Sequence, residues 1–112
     1  MLDTGSMLSA MNGARRELLI AEELKNRFNT VGVLFLRTEL DTALTLAQIA
    51  LDTKNNPAKR IRYHANAQKA YDTAVSMSRR LHMTEADRRE LESKRRAAQR
   101  ALEELFEATS HK

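Results

Sequence analysis

The sequence has no cysteine, a single proline and three glycines among its 112 residues, and aromatic side chains make up only 4% of it. The lack of cysteine excludes disulfides, zinc–thiolate sites and thiol nucleophiles. A cysteine-free chain also fits a reducing compartment, and we expect the protein to be cytoplasmic. Sheets need frequent turns built on glycine and proline, so the scarcity of both residues predicts long helices.

Long apolar runs are also missing. The most apolar stretch, residues 31–51, is interrupted by charged side chains, so the sequence predicts no membrane-spanning segment. The first residues lack the charged and apolar regions of a secretory signal, and Gly5-Ser6-Met7 resembles a cloning remnant. We therefore expect no membrane partner, and we expect residues 1–13 to form a disordered tail or tag remnant.

Apolar residues at helical spacing predict an N-terminal helix over residues 14–30. The stretch 29–32 predicts a break after it, because asparagine, threonine and glycine are poor helix formers. A helix that continues through this stretch is the alternative, since one interior glycine costs only about 1 kcal/mol.

The next helix is expected over residues 33–52 and carries two apolar stripes. One stripe faces the predicted core. The second stripe contains Phe35, Leu46 and Ile49, and soluble monomers seldom leave such a patch bare. Either the N-terminal helix folds back onto it, giving a four-helix monomer, or a second copy covers it, giving a symmetric homodimer. We favour the fold-back.

Two further helices have recognisable starts. Asn56 is a good N-cap before Pro57, which has no amide hydrogen to leave unsatisfied, so a helix is expected over residues 57–81. Thr84 and Asp87 resemble a capping box at the start of a helix over residues 85–108. Short connections make neighbouring helices antiparallel.

These elements predict an all-α fold. We expect an up-down-up antiparallel three-helix bundle over residues 31–112, with an additional N-terminal helix. The core residues should recur along one face of each helix. They are Leu40, Ala43, Ala47, Ala67, Tyr71, Ala74, Leu91, Ala98 and Leu102.

Each of the last three predicted helices carries a short pattern of its own. They are Leu40-Asp41-Thr42-Ala43, then Ala67, Tyr71 and Ala74, and finally Lys94, Arg100, Ala101 and Leu105. Together, over residues 39–108, they resemble a microtubule-interacting-and-transport (MIT) domain, a three-helix bundle whose partner peptides lie in grooves between helices. The second pattern also resembles a tetratricopeptide repeat, although Arg79 stands where that repeat usually has proline. A small bacterial helical protein with convergent spacings is the alternative.

Basic residues are concentrated between Pro57 and Met83. Arg62, Lys69 and Arg80 share one face of helix 57–81, which makes them a candidate phosphate-binding face, with a solvated helix face as the alternative. The groove between the last two helices is the candidate peptide-binding site. Four cations are expected to flank this groove: Arg79, Arg80, Lys94 and Arg95.

No residue pattern supports catalysis. The sequence contains neither a phosphate-binding loop nor a glycine-rich nucleophile elbow. His64 is expected to be packed on an apolar flank, and His82 lacks the second histidine that a metal site would need. We expect no enzyme activity, no cofactor and no metal.

The expected function is therefore a non-enzymatic protein-interaction module that binds an acidic partner helix or peptide in the inter-helix groove. The alternative is a nucleic-acid-binding protein that uses the basic face of helix 57–81.

Overall fold

The computed structural model describes the backbone of residues 4–110 and the side chains of residues 12–108. All regular secondary structure in this range is helical: α1 spans Thr4–Asp52, α2 spans Pro57–Ser78 and α3 spans Glu85–Ser110. The predicted all-α fold is confirmed. None of the described helices combines the length and the apolarity needed to cross a membrane. The chain divides into two units at the junction of Val31 and Gly32.

The second unit buries its apolar residues in three successive clusters, each with members from α1, α2 and α3. The first cluster contains Val33, Leu36, Leu40, Ala74, Leu81 and Leu91. The second cluster, which we call the alanine layer, consists of Ala43, Ala70 and Ala98. The third cluster contains Ala47, Ala50, Ala67, Ala101, Leu102 and Leu105. From the first cluster to the third, residue numbers rise along α1 and α3 and fall along α2.

The predicted core residues occupy these clusters. Eight of the nine are buried, and Tyr71 is half-buried and packs against all three clusters. Ala43 and Ala98 have no exposed surface in the alanine layer. Because the buried side chains of this layer are methyl groups, with Leu44 and Tyr71 packed beside them, the layer leaves little room for larger side chains.

Both predicted helix starts are confirmed. The amide of Lys59 donates to Oδ1 of Asn56 at 3.1 Å at the start of α2. The amide of Asp87 donates to Oγ1 of Thr84 at 3.1 Å at the start of α3. Each bond satisfies a backbone donor that the first helical turn would leave without a partner. Helix α2 ends at Ser78 rather than residue 81, and Leu81 of the linker is buried in the first cluster.

Helix α1 passes without interruption through residues 29–32, so the predicted break and the separate N-terminal helix are wrong. Threonine is a poor helix former, but the Thr30 hydroxyl donates a hydrogen bond to the carbonyl oxygen of Asn26 at 2.9 Å, so this polar group has a partner within the helix. Gly32 serves packing rather than a turn, because a Cβ atom there would lie 2.5 Å from Cδ2 of Leu81. Residues 4–13, expected in a disordered tail, also belong to α1, and residues 1–3 lie outside the described residues.

The fold-back was expected to place Leu18, Leu24 and Phe28 of the predicted N-terminal helix over the second stripe, and the side chains of all three are exposed. On the stripe itself, Phe35 and Ile49 are exposed, whereas Leu46 packs against the third cluster. The alternative, a homodimer, stays a prediction.

Candidate functional site

Positive charge is concentrated in residues 54–80, which we call the basic segment. It carries seven basic side chains and one acidic side chain, whereas the whole chain has a net charge of +4. The rest of the chain is therefore slightly acidic. The seven basic residues are Lys54, Lys59, Arg60, Arg62, Lys69, Arg79 and Arg80.

Several cations on α1 and α3 are neutralised by acids of the protein itself. Arg37 Nε donates to Glu90 at 2.5 Å and Lys94 Nζ donates to Asp41 at 2.7 Å, and both bonds join α1 to α3. Other ion pairs lie within single helices: Glu23–Arg27, Glu85–Arg89, Glu92–Arg95 and Glu92–Arg96. Among the described residues, no cation of the basic segment takes part in an ion pair. The basic segment therefore keeps its charge available for a partner.

The four cations expected to flank a peptide groove have different neighbours. Lys94 is directed towards α1 by its bond to Asp41. Arg95 faces α2, where its Nη1 donates to the Tyr71 hydroxyl at 3.2 Å. Arg79 and Arg80 are exposed in the linker after α2. The structure thus engages Lys94 and Arg95 with different helices. Of the four cations, Arg79 and Arg80 are the two that form no ion pair among the described residues.

Glu92 is the most strongly perturbed carboxylate. Arg95 donates to it from Nη2 at 2.5 Å and from Nε at 2.9 Å, and Arg96 donates at 3.3 Å. The bond from Arg95 is the main cause that lowers the pKa of Glu92 from 4.5 to about 2, against the opposing effect of partial burial. The bond from Arg37 likewise lowers the pKa of Glu90. Carboxylates held ionised in this way are poor general acids at neutral pH.

The candidate phosphate-binding face is exposed. Arg62, Lys69 and Arg80 all lie at the surface. The spacing of seven residues places Arg62 and Lys69 on one side of α2, but Arg80 lies in the linker beyond the end of the helix at Ser78, so the predicted helical face holds two of the three cations. Tyr63 is half-buried against the third cluster, with Lys59 Nζ 5.7 Å and Arg62 Cζ 6.0 Å from its ring centre. Because the core and these cations occupy its ring, Tyr63 is a poor platform for stacking a base.

A cleft of about 500 Å³ lies at the start of α2 and was not anticipated from the sequence. Its apolar wall is formed by Pro57, Ile61 and Ala65, with Ala108 contributed by the end of α3. Its polar groups come from Lys54, Arg60, His64 and Gln68. His64, expected to be packed, is half-buried as part of this cleft.

The sequence signal for the cleft lies in two rows of residues spaced by four. Pro57, Ile61 and Ala65 form the apolar row, and Arg60, His64 and Gln68 form the polar row. Such rows mark one side of a helix, but they do not reveal that a residue of another helix closes the cleft.

The described residues at these sites do not form an arrangement suited to metal binding or catalysis. Within the part of the chain that the structure describes, no three histidine or acidic side chains converge to hold a metal ion. Near His82, Thr84 caps α3 and Glu85 pairs with Arg89 at 3.3 Å, so both side chains have structural roles. His111 lies outside the described residues.

Comparisons of the chain with known protein families, with curated proteins and with solved structures found no match. The resemblances to MIT domains and to tetratricopeptide repeats therefore stay predictions.

Proposed function

We propose that this chain is a non-enzymatic interaction module that binds an acidic helix or peptide along α2. The observation that carries the proposal is the basic segment, with seven basic residues, one acid and no ion pair among the described residues. A cation that already has an acidic neighbour gains little from a second acid, whereas an unpaired cation offers its full attraction to a partner.

The bundle topology is part of the same proposal. We infer that the three helices run up, down and up, as in an MIT domain. The order of the core clusters supports this topology, because residue numbers rise along α1 and α3 and fall along α2. The two ion pairs between α1 and α3 agree, since Arg37 and Asp41 meet Glu90 and Lys94 in the same order. Partners of an MIT domain lie in grooves between helices, so a partner held by the basic segment would lie in a groove that borders α2.

The absence of catalytic function is also inferred. Glu85, Glu90 and Glu92 each form an ion pair with an arginine, and the pKa shifts of Glu90 and Glu92 are both downward. A catalytic acid at neutral pH needs the opposite shift, which comes from burial in an apolar pocket.

Nucleic-acid binding is the second candidate function. It is favoured by the exposure of Arg62, Lys69 and Arg80 and by their lack of ion pairs within the described chain. Against it, Tyr63 is a poor stacking platform. Duplex binding that depends only on phosphate contacts would still be compatible with this face.

Charge reversal on α2 tests the proposal. We expect the variant Arg62→Glu/Lys69→Glu to bind a fluorescent acidic amphipathic peptide at least about tenfold more weakly than the unchanged chain, a loss of about 1.4 kcal/mol. Fluorescence anisotropy would measure both affinities. The matched control is Arg89→Glu/Arg100→Glu, which makes the same change in net charge on exposed residues of α3.

The two double variants separate the outcomes. Equal losses in both would mean that only net charge matters, and the assignment to α2 would be wrong. Duplex DNA in the same assay tests the second candidate. If DNA binds more tightly than the peptide, with an affinity that falls steeply as salt rises, nucleic-acid binding replaces peptide binding.

A further inference from the structure

We propose that the cleft at the start of α2 is a binding site for a small carboxylate with an unbranched apolar chain, such as a medium-chain fatty acid. This site is separate from the candidate phosphate-binding face and does not rest on the proposed function. Its volume of about 500 Å³ is within the range of small-molecule pockets.

The lining of the cleft separates into an apolar part and a cationic part. Pro57, Ile61 and Ala65 form an apolar row over two turns of α2, and the side chain of Ile61 is 69% exposed. An exposed isoleucine beside a cleft gives an alkyl chain a surface from which it displaces water.

The charge of the lining selects an anion. Lys54 and Arg60 contribute two cations, and none of the lining residues that the structure describes is acidic. Neither cation takes part in an ion pair among the described residues, so a ligand carboxylate would meet no competing acid of the protein. A cationic ligand with the same alkyl chain would be repelled.

Arg60 also supplies the group that would bind the carboxylate. Its Nε is buried and has no hydrogen-bond partner among the described residues. A buried donor without an acceptor is unfavourable, so the arginine gains when a small rotation brings Nε and one terminal nitrogen to a ligand carboxylate. Two parallel N–H···O bonds from one guanidinium are the geometry that a carboxylate accepts best.

Titration of the full chain with decanoate, kept below the concentration at which it forms micelles, tests the site. Isothermal titration calorimetry would give the affinity, and NMR shifts of the amides of residues 60–65 would give the location. We expect Arg60→Met to weaken binding at least about tenfold, the loss of a charge-assisted pair of hydrogen bonds. The matched control is Arg62→Met, which removes the same charge from the same helix at a residue outside the cleft.

A second variant, Ala65→Trp, tests the site independently if Arg60→Met fails to fold. Ala65 is exposed, so Ala65→Trp should be tolerated and should fill the cleft, weakening decanoate binding without removing a charge. Decanol, which lacks the carboxylate, and acetate, which lacks the chain, should each bind at least about tenfold more weakly than decanoate. A short peptide with a C-terminal leucine carries the same chemistry from a protein source, and tighter binding of that peptide would overturn the small-molecule assignment.

Three other results would overturn the site itself. The first is no decanoate binding at millimolar concentration. The second is equal weakening by Arg60→Met and Arg62→Met, which would mean that the anion responds only to the general charge of α2. The third is equal affinity for decyltrimethylammonium, which would mean that the cleft recognises the alkyl chain alone.

Discussion

Gly32 lies where α1 packs against Leu81 of the linker between α2 and α3. Carbon atoms of the Leu81 side chain would lie 2.5, 2.7 and 3.1 Å from a Cβ at this position. The helix gives up some intrinsic stability for this contact, because glycine is about 1 kcal/mol less favourable than alanine in a helix interior. In return, Leu81 reaches the first cluster and is only 8% exposed.

The substitution Gly32→Ala should destabilise the protein. The alanine gains about 1 kcal/mol of helix propensity, but its methyl group must displace Leu81, and overpacking of this kind typically costs about 1–3 kcal/mol. Urea unfolding would measure the net loss. The control is Gly13→Ala, where a Cβ atom meets nothing within 4 Å, so that helical content measured by circular dichroism should rise slightly. A Gly32→Ala variant more stable than the parent would show that Leu81 moves aside at no cost.

Glu92 makes the stability of the protein depend on pH. Its folded-state pKa of about 2 lies below the ordinary value of 4.5, so the unfolded state takes up a proton first as the pH falls. The stabilisation by this carboxylate is therefore fully present above about pH 5 and is lost between about pH 4.5 and pH 2. The side chain is 41% exposed, which keeps the effect small through solvent screening.

The variant Glu92→Gln isolates this contribution. We expect it to melt at a lower temperature than the parent at pH 7, and we expect the difference to shrink towards zero as the pH approaches 2. Thermal melts at several pH values would measure this. Glu104→Gln is the control, because Glu104 is exposed and forms no ion pair among the described residues. A difference that stays constant from pH 7 to pH 2 would contradict the proposed pairing with Arg95.

At the scale of the helices, alanine determines how closely α1, α2 and α3 pack. The three buried residues of the alanine layer and four of the six buried residues of the third cluster are alanines. Helices that meet through methyl groups have little space to relax around a larger side chain. The middle of the bundle should therefore be the part least tolerant of added volume.

The variants Ala47→Leu and Ala74→Leu should each lose about 1–3 kcal/mol of stability in a urea melt, because neither position has room for three more carbon atoms. Ala47 is 0% exposed and Ala74 is 2% exposed. Ala65→Leu is the control, since Ala65 is an exposed alanine on α2. If Ala47→Leu were as neutral as the control, α1 would not lie at a close helix interface.

Local chemistry explains which elements were predictable from the sequence. The starts of α2 and α3 depend on Asn56 and Thr84, whose partners lie three residues away, so both starts were visible in the sequence. The continuity of α1 was not, because helix propensity is a weak guide when a glycine is needed for a contact 49 residues away, at Leu81.

The candidate sites follow the same rule. The charges of Lys94 and Arg95 were visible in the sequence, but Asp41 of α1, which pairs with Lys94, and the Tyr71 hydroxyl of α2, which accepts from Arg95, come near them only in the folded chain. The cleft was missed because Ala108 of α3 completes it. The basic segment was recognisable from the sequence, because it is defined only by the order of charged residues along the chain.

At the scale of the whole molecule, the core belongs to the second unit alone. All members of the three clusters lie between Val33 and Leu105. In the first unit, every described side chain except Asn29 is exposed, including the large apolar residues Leu24, Phe28 and Val31. Stability and self-association should therefore depend on different parts of the chain.

A shortened chain that begins at Val31 should unfold cooperatively, with a urea midpoint close to that of the full chain, because it retains all three clusters. Sedimentation should find the full chain self-associated through the exposed apolar residues of its first unit, and the shortened chain should associate more weakly, because it keeps Phe35 and Ile49 of the second stripe but lacks residues 1–30. The homodimer would be ruled out by a monomeric full chain at all concentrations. Association of the shortened chain as strong as that of the full chain would show that the second stripe, and not the first unit, causes the self-association.

The two ion pairs between α1 and α3 specify one alignment of these helices along their lengths. Arg37 meets Glu90 and, one turn later, Asp41 meets Lys94, so that the sign of the charge alternates along both helices. If α3 slid by one turn in one direction, Arg37 would meet Lys94, and in the other direction Asp41 would meet Glu90. Each slip replaces attraction with repulsion between like charges. The exposed pairs add little to stability, but they distinguish the native alignment from its two nearest competitors.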